Sequence, residues 1–71
     1  MKVTIIRVSE LSRKVEYEPV EMGSIDKKEI IDRFGRCETG EILYCKVSGE
    51  LKLELHYDSQ CREYREYTGN Y

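Results

Sequence analysis

Apolar positions along this chain fall into short runs with two different periods. The first run, KVTIIRV at residues 2–8, is rich in β-branched side chains and predicts a strand. Val3 and Ile5 take one of its faces, Ile6 and Val8 the other. Apolar residues on both faces predict a central or doubly covered strand. A polar turn, SELS, leads into RKVEYEPV at residues 13–20, where Val15 and Tyr17 alternate with Glu16 and Glu18 as in a half-buried strand. Pro19 lacks an N–H, so this second strand ends there or lies at an edge.

The period then changes. GSIDKKEIIDRFG at residues 23–35 carries an apolar stripe of Ile30, Ile31 and Phe34 with helical punctuation around it. Ser24 or Asp26 can cap its start, and Asp26 with Glu29 three residues later resembles a capping box. Gly35 is placed to stop the helix in a left-handed conformation. A loop, RCETG, follows.

Alternation returns in EILYCKVSGELKLELHY at residues 41–57, a hairpin with two candidate registers. A two-residue turn mixes apolar and charged residues on each face. A three-residue loop of Val47, Ser48 and Gly49 pairs Lys46 with Glu50 and Leu43 with Leu53. It collects Leu43, Cys45, Leu51, Leu53 and Leu55 on one face, and a one-residue slip would turn that set into water, so the second register is expected. The opposite face carries Ile42, Tyr44 and Lys46 beside Lys52, Glu54 and His56.

For the C-terminal stretch, CREYREYTGNY, three readings compete. Tyr57, Cys61, Tyr64, Thr68 and Tyr71 recur at helical spacing, with Asp58 or Ser59 as cap and Gly69 as stop. As a strand, neither alternating set is apolar; as a tail, the tyrosines would pack nothing. The helix is the favoured reading. The element order is then β-β-α-β-β-α. It predicts an α+β fold: a small two-layer domain over residues 1–71, with an antiparallel sheet of about four strands and one or two helices on one face.

Composition narrows the function classes. The chain has 71 residues, enough for one domain with a marginal core. Twelve basic and fourteen acidic residues give a net charge of −2, with no basic stripe to neutralise phosphates. No apolar run approaches a membrane span or a signal-peptide core, and three cysteines are an odd number, so a cytoplasmic protein with reduced thiols is expected.

Candidate chemistry adds little. Cys37, Cys45, His56 and Cys61 supply the donor types of a zinc site, but no Cys-x₂-Cys occurs, and the hairpin puts Cys45 and His56 on opposite faces. A Cys61–His56 nucleophile pair lacks an oxyanion-forming turn. The five glycines stand singly, so no phosphate-cradling loop forms. Neither a catalytic residue, a metal nor another cofactor is expected. Arginine interleaved with tyrosine suits single-strand stacking, yet Glu63 and Glu66 cancel the field of Arg62 and Arg65. The expected function is therefore non-catalytic protein binding, by an inhibitor or adaptor of the kind mobile genetic elements encode. Ile42, Tyr44, Tyr64, Tyr67 and Tyr71 are the interface candidates, and a homodimer is a natural extension. The alternative is a nucleic-acid or nucleotide binder using the C-terminal tyrosines.

Overall fold

A computed structural model of the chain describes residues 1–67. In chain order its elements are β1 (Lys2–Ser9), β2 (Lys14–Glu21), α1 (Lys27–Phe34), β3 (Glu41–Val47), β4 (Glu50–Asp58) and β5 (Glu63–Glu66). The strands form one antiparallel sheet in the order β2-β1-β3-β4-β5. The α+β class holds. The sheet has five strands rather than about four, and the described residues contain a single helix.

β1 lies inside the sheet between β2 and β3, as its two-faced apolar pattern requires. Val3 and Ile5 face the helix layer. There they join Leu43, Cys45, Leu53, Leu55 and Tyr64 in a core closed by Ile30 and Phe34 of α1 and by Met22. The helix is short, and its packing rather than its propensity holds it. Asp26 is the N-cap, accepting from the Lys28 N–H at 3.1 Å. The capping box does not form, because Glu29 pairs with Arg33 one turn on at 3.0 Å instead.

Gly35 departs from its expected role. Its φ of −72° is not left-handed. Glycine is needed for space: a Cβ would lie 2.7 Å from the Ile31 carbonyl oxygen and 2.7 Å from the Tyr64 hydroxyl.

The hairpin corrects the expected register. β3 and β4 join through the two-residue turn Ser48-Gly49, with φ of 53° and 80°, and Val47 pairs with Glu50. Positive φ at both positions matches the right-handed twist of the strands. The ladder then shifts between Cys45 and Lys46, so that Lys46 pairs with Leu51 but Cys45 pairs with Leu53. Lys52 is the extra residue. This bulge resolves the conflict that disfavoured the short turn: Leu53 and Leu55 regain the core face, opposite Cys45 and Leu43. Leu51 does not join them. It turns to the other face and is 40% exposed.

The C-terminal helix is also corrected. Asp58 does cap backbone N–H groups, those of Gln60 at 3.0 Å and Cys61 at 3.3 Å, but within a turn. The Cys61 N–H above all holds its carboxylate below the usual aspartate range. Arg62 adopts a φ of 57°, the chain reverses, and β5 pairs with β4. An aspartate that accepts from residues two and three ahead serves a turn as well as a helix start.

Candidate functional site

The helix covers only one face of the sheet. On the other, cross-strand pairing sets Tyr17 beside Ile6 and Ile6 beside Tyr44, with Val15, Val8 and Ile42 aligned in the next row. Leu51 and Lys46 sit together at one end. Ile6, Val8, Val15, Tyr17, Tyr44, Lys46 and Leu51 line a shallow open depression of about 400 Å³. Its apolar side chains reach solvent, Tyr17 at 69% exposure and Val15 at 52%.

The alternation in β2 therefore works in the reverse sense to the usual one. Its apolar set, Val15 and Tyr17, lies on the uncovered face, while Glu16 turns inward toward Arg7 and Arg36. The expected signal of a half-buried strand marked the correct two faces and the wrong burial.

The five interface candidates separate. Tyr44 is partly buried on the outer face; burial there, with Glu54 and Glu10 nearby, pushes its phenol up from the usual range. Ile42 shares this face but is only 9% exposed, paired between Val8 and His56, so it underlies the surface. Tyr67 continues the outer face beside β4, its ring 4.3 Å from that of His56. Tyr64 is not a surface residue. It is buried in the core, its hydroxyl donating to Glu41 at 2.7 Å and accepting from the Cys37 N–H at 2.9 Å. Tyr71 lies outside the described residues. Val15, Tyr17 and Leu51 were the outer-face residues missed. Ile6 and Val8 signalled the first two, being a second apolar set on a strand next to β2.

A buried polar cluster lies at the end of α1. The Glu41 carboxylate accepts from the Arg36 and Glu38 N–H groups, each at 3.1 Å at closest, and from Tyr64. Arg7 is buried beside it, with Nε 3.5 Å from Glu41 Oε2, and its guanidinium also donates to the Phe34 carbonyl and to Glu16. The partners belong to the last residue of α1, to the loop after it and to the sheet. The cluster thus ties the helix end to β1, β3 and β5.

The cysteines do not converge on His56. Cys45 is buried on the core face, and burial pushes its thiol up. His56 lies on the outer face against Glu54, while Cys61 sits beside the Arg65 guanidinium, 3.6 Å away. Among the described residues no group of three His, Cys, Asp or Glu is arranged to hold a metal ion.

Comparison with protein-family models, with curated proteins and with solved structures finds no match to this chain. The uncovered face and the buried cluster must be read from their own chemistry.

Proposed function

We propose that this chain is a non-catalytic protein-binding module, an inhibitor or adaptor, that docks through the outer face of its sheet. The observation that supports it is the exposure of Val15, Tyr17 and Leu51 around a continuous apolar surface on the face the helix leaves open. Exposed apolar patches of this kind on small soluble proteins mark interaction surfaces. Interface centres are enriched in aromatic residues, and this face carries Tyr44 on the central strand β3 and Tyr17 on the edge strand β2, with Lys46 toward one end. The depression is too open to bury a small molecule as ligand pockets do.

A photo-crosslinking residue at position 17 or 51, installed in the full chain in its native host, tests the reading. Protein adducts from both positions, and none from the exposed helix position 32, are expected. Adducts to nucleic acid, or adducts only from the helix side, would overturn it.

A further inference from the structure

We propose that the partner on the outer face is a second copy of this chain, packed sheet on sheet about a two-fold axis crossing the strands over Ile6 and Val8. This rests on the protein-binding reading above and names its partner.

Charge placement carries the inference. Lys46 pairs with Thr4 near one end of β1, and Glu10 follows Ser9 at the other. Glu10 opens the turn after β1; its N–H still bonds the Gly40 carbonyl at 3.2 Å beside the start of β3, and its carboxylate is close enough to act on the outer-face Tyr44 phenol. Among the described residues neither the Lys46 ammonium nor the Glu10 carboxylate forms an ion pair. The face thus ends in an unpaired cation on one side and an unpaired anion on the other. From Thr4 to Glu10 is about 20 Å of extended chain.

Faces that meet through a two-fold axis lying between them reverse the strand direction when the axis crosses the strands. Lys46 of each copy then comes to the Glu10 end of the other, one strand spacing aside, within reach of two long side chains. The midpoint between residues 4 and 10 falls at Arg7, whose outer-face neighbours are Ile6 and Val8. Those two apolar side chains from each copy meet at the centre, and Val15, Tyr17 and Leu51 flank them. Sheets packed this way lie about 10 Å apart with strands aligned to within roughly 30°. A wholly acidic or wholly basic partner would leave one end of the face unmatched. A second copy matches both, because an isologous contact presents each charge to its opposite. A standard interface takes about 800 Å² per partner, about one sixth of this chain's 4972 Å² surface.

Sedimentation equilibrium on the full chain, from about 1 to about 200 µM, tests the assignment. The weight-average mass is expected to rise from 8.4 kDa toward twice that value. Tyr17→Lys with Leu51→Lys should weaken association at least about tenfold, while Glu29→Lys on the helix leaves it unchanged. Lys46→Glu and Glu10→Lys should each weaken it several-fold at low salt, and the double exchange should restore it. Circular dichroism melts confirm that each variant is folded before its mass is read. A wild type that stays monomeric overturns the second-copy assignment. Protein cross-links from position 17 would then still uphold the protein-binding reading, and their absence would sink both. A dimer that survives the Tyr17 and Leu51 substitutions uses another surface, and a double exchange that fails to restore association removes the axis.

Discussion

Glu41 shows how one residue decides a local structure that no pattern announces. Its buried carboxylate holds the loop after α1 through the Arg36 and Glu38 N–H groups, receives the Tyr64 hydroxyl and faces Arg7. Removing one partner of a buried charge pair leaves the other uncompensated, so Glu41→Ala should destabilise the fold by about 3–5 kcal/mol in urea unfolding. Tyr64→Phe keeps the ring and loses the hydroxyl bonds, at about 1–3 kcal/mol. A result in the reverse order would remove Glu41 from the centre of the cluster. Tyr64 also sets a pH dependence. Burial first, then the bond to Glu41, raises its pKa above the ordinary value of 10.0. The folded state therefore holds the proton more tightly than the unfolded state, and the contribution is complete below about pH 10 and lost as pH rises above it. The wild type should lose stability more steeply than Tyr64→Phe between about pH 10 and pH 11, as thermal melts will read. Gly35→Ala is a steric test: its new Cβ meets a carbonyl oxygen and the Tyr64 hydroxyl, and a loss of about 1–3 kcal/mol is expected. No loss would mean that the helix end yields freely.

At the scale of elements, the hairpin shows why composition alone cannot set register. The leucines at 51, 53 and 55 are equivalent in alternation, but the bulge at Lys52 separates the first from the others. Leu53→Asp should unfold the domain or come close to it, since it buries an unpaired charge. Leu51→Asp should change stability by less than about 1 kcal/mol. Deletion gives a sharper comparison. Removing Lys52 restores a regular ladder and keeps Leu53 and Leu55 inward, with only the exposed Lys52–Glu50 pair lost. Removing Glu54 instead turns Leu55 outward and should abolish folding. Equal effects of the two deletions in denaturation experiments would refute the bulge. The C-terminal stretch teaches a related lesson: of the two cap candidates, Asp58 and Ser59, Asp58 accepts from backbone N–H groups, but it starts a turn and not a helix. A positive φ at Arg62 redirects the chain, and nothing in the identity of an arginine announces it.

At the scale of the molecule, the described residues place one helix over one face of a five-strand sheet and leave apolar side chains of the other face exposed. The same two-sidedness separates the Cys45 thiol from the imidazole, since Cys45 is buried on the core face and His56 lies on the other, and no group of three potential ligands is arranged to hold a metal among the described residues. A chelator should therefore leave the melting transition in place. A fall in melting temperature on chelation, with zinc released from the protein, would contradict the separation by faces.

Local patterning by itself determined the α+β class, the two apolar faces of β1, a helix cap at Ser24 or Asp26 and, of the five residues it assigned to the hairpin's core face, Leu43, Cys45, Leu53 and Leu55. These depend on side chains two, three or four residues apart, distances that the chain itself enforces. Which face of β2 is covered was beyond such reasoning. Val15 and Tyr17 read as buried, and only the position of a single short helix leaves them in solvent. The burial of Tyr64 depends on Glu41, 23 positions earlier, and the need for glycine at 35 depends on Tyr64 in turn. Contacts between residues so distant in sequence exist only after β3, β4 and β5 have paired side by side. Tertiary structure therefore decided the candidate site, and the sequence had determined the surface on which it lies.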